Sequence, residues 1–140
     1  MQLDVKTMTV MNRRVWFIPF LIVAINLLAV IVRWSALPEI LPAHFDLQGN
    51  AGGTMPRNVL LMYPMIGAAI CLLGYVIARI KNRLQSGLVV LTSGISLILL
   101  SSTMVTLTYG TMPVFMLAEP VILIAAVVAS VVCVLKSRKK

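Results

Sequence analysis

The residues of this chain that are able to do chemistry are concentrated in one polar stretch, residues 37–57, with the sequence LPEILPAHFDLQGNAGGTMPR. This stretch contains the only histidine, His44, and two of the four acidic residues, Glu39 and Asp46. An imidazole near a carboxylate can serve acid–base catalysis or metal binding. The same pair is more often structural, because the ring and the carboxylate can hold backbone groups of a loop. Residues 37–57 are the first place to seek a functional site.

A metal site here would need a ligand from another part of the chain, and the acidic residue inside an apolar segment is Glu119. His44, Asp46 and Glu119 lack the regular spacing of zinc ligands, so we predict no metal and no cofactor. The two cysteines, Cys71 and Cys133, lie in apolar segments and do not form a metal-binding pattern. The sequence contains no nucleophile elbow, phosphate-binding loop or zinc-protease motif, so no catalytic residue is assigned.

The composition is that of an integral membrane protein. Of 140 residues, 60% are hydrophobic and 11% are charged, and the mean hydropathy is +1.00. Soluble domains contain about 25% charged residues. We predict one membrane domain, residues 1–140, whose first partner is the lipid bilayer. The net charge of +8 does not indicate a nucleic-acid partner, because the basic residues lie at the ends of the apolar segments.

Four apolar segments predict an all-α protein with four transmembrane helices. A short basic leader precedes the first segment, and the two prolines after it disfavour a cleavable signal peptide, although Ser35 and Ala36 leave that alternative open. Only residues 109–111 join the last two segments. The predicted spans are residues 15–32, 59–78, 88–108 and 112–135.

The basic residues predict the orientation of these spans. Ten of the 12 lysines and arginines lie in the leader, after the second span or in the tail, and the other two are Arg33 and Arg57. Cytoplasmic segments are enriched in lysine and arginine. We therefore predict a multi-pass protein with both termini in the cytoplasm and residues 37–57 outside.

Residues 37–57 are predicted to be an ordered loop. Pro38 and Pro42 favour extended backbone and disfavour a helix. In an extended chain His44 and Asp46 point to one face and Phe45 points to the other. The glycines and asparagine that follow predict tight turns.

The loop residues resemble the signature of an uncharacterised bacterial membrane domain that also opens the SdpI-type toxin immunity proteins. That signature is a Pro-x-His-Phe-Asp/Asn stretch, then a glycine, an acidic-glycine-aromatic turn and a basic residue. The resemblance covers about residues 16–80, and it departs at Gly52, where an acidic residue is usual, and at Thr54, where an aromatic residue is usual. The matching positions are Pro42, His44, Phe45, Asp46, Gly49, Gly53 and Arg57.

The resemblance implies a role in the bacterial cytoplasmic membrane, such as immunity to a membrane-active peptide or sensing of envelope stress. The expected ligand is a membrane-active peptide or a lipid, and the sequence assigns no oligomeric state. Two alternatives stay open. One is a small membrane enzyme that uses His44, Asp46 and Glu119 on a lipid-linked substrate. The other is an accessory subunit of a transporter.

Three predicted helices carry a polar residue at a similar depth. With a rise of 1.5 Å per residue, Asn26, Ser102 and Glu119 each lie about 9–10 Å from the outer end of their segments. Polar residues inside a membrane are costly and are candidates for function, although serine and threonine more often bond their own helix. We predict a polar pocket formed by Asn26, Ser102 and Glu119, which opens outward beneath the His44 loop.

Overall fold

The computed structural model describes residues 14–46, 48, 50–81, 84–108 and 113–138, and it leaves the side chains of residues 113–120 and 137–138 undescribed. The chain is mainly helical, and 3₁₀ segments at Trp34–Ala36 and Arg57–Leu61 flank the polar loop. The four helices are α1 (Phe17–Arg33), α2 (Met62–Ile80), α3 (Gln85–Leu107) and α4 (Pro113–Arg138).

The polar loop forms a two-stranded antiparallel hairpin, which the all-α prediction did not include. Strand β1 is Ile40–Phe45 and strand β2 is Ala51–Pro56, with Leu41 opposite Met55 and His44 opposite Gly52. The predicted extended backbone is therefore present. The pairing was not predicted because it depends on contacts of both strands with the helices.

The helices agree with the predicted spans to within a few residues. Three stretches are long and apolar enough to cross a membrane: Phe17–Ala36, Arg57–Ile80 and Gln85–Leu107. The fourth helix contributes the shorter apolar stretch Val121–Lys136 among the residues described. This arrangement is compatible with a multi-pass membrane protein. The predicted start of the fourth span at Met112 lies outside the described residues.

Helix α3 lies at the centre of the bundle and packs against α1, α2 and α4. Small residues allow α2 to approach its neighbours closely, as is usual between membrane helices. A Cβ atom on Gly67 would lie 3.0 Å from Val23 of α1 and 3.5 Å from Leu99 of α3. One turn further along α2, Cys71 Sγ lies 3.4 Å from Ser96 Oγ.

The α3–α4 interface is also built on small residues. A Cβ atom on Gly94 would collide with Ala126 of α4. Seven residues earlier in α3, the Gly87 carbonyl accepts a 2.9 Å hydrogen bond from the Ser130 hydroxyl of α4. A side chain at either glycine would therefore separate the two helices.

The hairpin is fixed to one end of the bundle by an apolar cluster. Leu41 and Met55 form the inner pair of the hairpin, and both are buried. They join side chains from the ends of α1 and α3 and from the 3₁₀ segment before α2. The buried members of this outer cluster are Val30, Leu37, Leu41, Met55, Leu60 and Leu107.

Candidate functional site

The hairpin has one buried face and one exposed face. Strand residues alternate between faces, and residues paired across the strands lie on the same face. Leu41 and Met55 are 1% and 9% exposed, so their face is the inner one. The outer face carries Ile40, Thr54 and His44, all of which are exposed. The hairpin therefore closes the end of the bundle and presents its histidine to the surroundings.

The imidazole of His44 lies directly on the backbone of the opposite strand at Gly52. A Cβ atom at Gly52 would approach the ring to 2.9 Å at Cδ2 and 3.0 Å at Cε1. The neighbouring Gly53 has φ +65°, a conformation that residues with a Cβ atom rarely adopt. The two glycines thus have different roles, since Gly52 provides space for the ring and Gly53 provides the backbone geometry.

Asp46 closes the hairpin turn. Its Oδ1 accepts hydrogen bonds from the backbone N–H groups of Gln48 (2.9 Å) and Asn50 (2.8 Å). Its Oδ2 accepts a 2.8 Å bond from the Asn50 side chain, and its own N–H donates to the Asn50 carbonyl at 3.0 Å. Aspartate commonly stabilises turns in this way. The structural alternative for this carboxylate, which the sequence left open, is the one supported by these bonds.

The other signature positions support the hairpin. Pro42 pairs with Thr54 in the middle of the sheet, and Phe45 pairs with Ala51 next to the turn. Gly49 lies outside the described residues. Within the part of the chain that the structure describes, no three metal-binding side chains come together.

Arg57 fixes the base of the hairpin. Its backbone N–H donates to the Glu39 carbonyl at 2.9 Å, and its Nη1 donates to the Leu37 carbonyl at 3.4 Å. Its guanidinium carbon lies 5.1 Å from the centre of the Trp34 ring, within the range of a cation–π interaction. The end of α1, the start of β1 and the end of β2 are therefore joined at one arginine.

An open cleft of about 510 Å³ lies at this base. Arg57, Glu39 and Trp34 are among its lining residues, so it brings together two residues of opposite charge and an aromatic residue. The lining residues are Trp34, Glu39, Ile40, Pro56, Arg57 and Asn58. Sequence analysis missed Trp34 and Asn58. An aromatic residue at the end of an apolar segment was the available signal for Trp34.

Asn26 points into the bundle, as the polar-pocket prediction requires. It is 1% exposed, and its Oδ1 accepts no hydrogen bond from the described residues. It lies on α1 between Val23, which packs beside Gly67 of α2, and Val30, which belongs to the outer cluster. The Asn26 side chain therefore lies inside the apolar part of the bundle.

Thr103 is a second buried polar residue of the bundle, and the sequence predicts its hydroxyl near the pocket. It is completely buried on α3, midway between Leu99 and Leu107. Its hydroxyl donates to the Leu99 carbonyl at 2.9 Å, the common arrangement for threonine in membrane helices.

The structure says less about the other two predicted pocket residues, Ser102 and Glu119. Ser102 is partly buried on α3, and its carbonyl accepts a 3.1 Å hydrogen bond from Thr106. Glu119 belongs to α4, and its side chain lies outside the described residues. A shared pocket of Asn26, Ser102 and Glu119 stays a prediction.

Comparison with known proteins identifies a family match over part of the chain. Residues 21–68 match a family described as a domain of unknown function, DUF1648. The match begins in α1, contains the entire hairpin and ends in α2, and it covers about a third of the chain. No curated protein and no solved structure matches. The resemblance to an uncharacterised domain is confirmed for this segment, and the candidate site lies within the residues that match DUF1648.

Proposed function

We propose that this chain is a protein of the bacterial cytoplasmic membrane that binds a membrane-active peptide at its hairpin. Binding there confers immunity to the peptide or reports envelope stress. The observation that carries this proposal is the exposed outer face of a hairpin whose inner face is fixed in the bundle. The similarity of residues 37–57 to the start of SdpI-type immunity proteins supports the same role.

The edge of β2 is suited to receive an extended peptide. Within the described residues the sheet has two strands, so each strand has one edge without a strand partner. β1 contacts α3, and Pro42 in its middle has no N–H group. β2 has no proline from residue 51 to residue 55, so the N–H groups there that point away from β1 can donate, and four of its six residues are exposed. Peptides commonly bind such edges as an added strand.

His44 supplies side-chain recognition next to this edge. Its ring is exposed and rests on Gly52 of β2, so one face of the imidazole is supported by backbone. The ring offers a hydrogen-bond donor and an acceptor when neutral. A peptide added to β2 would pass beside it and could bond both backbone and imidazole.

The proposal requires the hairpin to face outward, as the distribution of basic residues predicts. Gln48 in the hairpin turn and Ser86 at the start of α3 are both exposed. Single cysteines at these positions, in a background lacking Cys71 and Cys133, are to be treated in intact cells with a membrane-impermeant thiol reagent. We expect labelling at position 48 and none at position 86. Labelling at position 86 alone would show the opposite orientation.

The experiment that tests the function is replacement of His44. His44→Ala should abolish survival of a sensitive bacterial host under a membrane-active peptide that the unchanged protein resists. The amount of protein in the membrane should stay the same, because an exposed side chain contributes little to folding, about 0.5 kcal/mol or less.

Gln48→Ala is the matched control, since Gln48 is also exposed on the hairpin but uses its backbone, not its side chain, to bond Asp46. It should protect as well as the unchanged protein. Equal protection by His44→Ala across a panel of such peptides would refute the proposed role of the histidine. Loss of His44→Ala from the membrane would instead assign the histidine to folding.

A further inference from the structure

We propose that the cleft at the base of the hairpin binds a phosphate ester that carries an ammonium group, as found in the phosphatidylethanolamine headgroup. The assignment goes beyond the peptide function and does not depend on it. It rests on the side chains of the cleft and on the position of the cleft at the ends of two apolar helices.

The cleft lies where a bilayer has its headgroups. Trp34 falls near the end of the apolar stretch Phe17–Ala36, and Arg57 begins the stretch Arg57–Ile80. Tryptophan is enriched at the boundary between hydrocarbon and water, and arginine commonly binds headgroup phosphates there. This placement holds whichever side of the membrane the hairpin faces.

The guanidinium of Arg57 is positioned to receive a phosphate. Its contact with the Trp34 ring and its 3.4 Å bond to the Leu37 carbonyl restrict its movement. Arginine has five N–H donors, and Nη1 is the atom that bonds Leu37, so donors remain for a phosphate. An arginine that is already oriented loses less side-chain entropy when it binds.

Glu39 provides the second half of the recognition. Glu39 is exposed and lines the same cleft, and its backbone carbonyl is the acceptor for the Arg57 N–H, so the two residues are held side by side. An anionic phosphate with an ammonium group two carbons away matches this pair of charges. A purely anionic headgroup would instead meet the Glu39 carboxylate without a compensating charge.

The remaining surface suits a lipid more than a small soluble molecule. Ile40 in the cleft wall is 66% exposed, and Trp34 adds an aromatic surface. These two side chains can pack against the part of an acyl chain nearest the headgroup. The cleft volume of about 510 Å³ is within the range of about 300–1,000 Å³ for ligand sites.

Quenching of Trp34 fluorescence tests the assignment. The chain has two tryptophans, so a Trp16→Phe background leaves Trp34 as the only one. The full-length protein in detergent micelles is to be titrated with phosphatidylethanolamine or phosphatidylglycerol, each with brominated acyl chains. We expect saturable quenching by phosphatidylethanolamine at about a tenfold lower concentration than by phosphatidylglycerol, which corresponds to one favourable charge interaction.

Variants of Arg57 and Glu39 test the role of each charge. Arg57→Gln should weaken quenching by both lipids about tenfold, whereas Arg57→Lys, which keeps the charge, should retain much of it. Glu39→Gln should remove the preference for phosphatidylethanolamine without weakening the quenching by phosphatidylglycerol. His44→Ala, which alters the proposed peptide site but not the cleft lining, should leave the lipid titration unchanged.

Free phosphoethanolamine separates a lipid site from a site for a soluble molecule. It should displace the brominated lipid only at a much higher concentration than unlabelled lipid does, because it lacks acyl chains. Equal competition by the free compound would overturn the lipid assignment. Equal quenching by both lipids with no effect of Glu39→Gln would refute recognition of the ammonium group.

Discussion

The hairpin and the α3–α4 interface both depend on glycine, but for different reasons. Gly94 in α3 has no side chain because Ala126 of the neighbouring helix occupies that space. Gly52 in the hairpin has none because the His44 ring lies there. One glycine therefore serves the packing of two helices, and the other serves the position of a single exposed side chain. Changes at the α3–α4 interface should therefore affect stability, and changes at the His44 face of the hairpin should affect binding.

The two ends of the bundle show a second difference. At the end away from the hairpin, Trp16 and Tyr75 pack edge to face with ring centres 5.5 Å apart, and Arg79 lies over Tyr75. At the hairpin end, Arg57 lies over Trp34, but beside an open cleft that also contains Glu39. Each end thus has an arginine on an aromatic ring, and the hairpin end adds an opposite charge and space for a ligand.

The largest loss of stability is expected from a side chain inserted between α3 and α4. Gly94→Val would collide with Ala126 and should lower the free energy of unfolding by about 1–3 kcal/mol, the usual cost of overpacking. Thermal unfolding of the purified protein in micelles measures this loss. Gly94 and Ala126 do not belong to the outer cluster that fixes the hairpin, so the geometry of the hairpin should persist in the folded fraction.

Gly94→Ala combined with Ala126→Gly is the control, because the methyl group is moved across the interface and the total volume is kept. It should unfold close to the unchanged protein. If Gly94→Val is as stable as the unchanged protein, the close contact between α3 and α4 is refuted.

A smaller and local loss is expected in the hairpin. Gly53→Val would place a β-branched residue at φ +65°, which costs about 1–2 kcal/mol. Hydrogen exchange should show faster exchange of the hairpin amides with unchanged exchange in α2 and α3. Ala51→Val, on the same strand at another exposed position, should not accelerate exchange. Faster exchange throughout the bundle in Gly53→Val would contradict the separation of the two regions.

The smallest of these effects is expected at the hairpin turn. Asp46→Ala removes the acceptor of the Gln48 and Asn50 N–H groups, which become solvated, so the hairpin should lose about 1 kcal/mol of local stability. Asp46→Asn keeps an acceptor oxygen and should recover most of it. The same exchange measurement at residues 40–56 distinguishes the two variants. Identical exchange in Asp46→Ala and the unchanged protein would refute the role of the carboxylate in the turn.

The sequence predicted the helices well because hydropathy and helix length depend on local composition. It also predicted an ordered, extended loop from Pro38, Pro42 and the glycines. The strand register was not predictable, because it is fixed by Leu41 and Met55 meeting side chains from three helical segments. Without that register the position of His44 over Gly52 could not be derived, although Gly52 was already recognised as a departure from the signature.

The candidate site was predicted in part. The stretch 37–57 and the residues His44 and Arg57 were identified from their chemistry and from the signature. Asp46 was expected to share a face with His44, and the structure assigns both of its oxygens to the turn. Trp34 and the cleft were missed because a cleft arises only when the ends of α1 and β2 meet around Arg57.

The edge of β2 is the proposed site for the peptide. Hydrogen exchange of the full-length protein in micelles, with and without a membrane-active peptide that it resists, tests this claim most directly. We predict that those backbone N–H groups of residues 51–55 that point away from β1 become protected when peptide is added. His44→Ala should reduce this protection, and Gln48→Ala should not. Protection confined to α4, with no change at residues 51–55, would contradict the account.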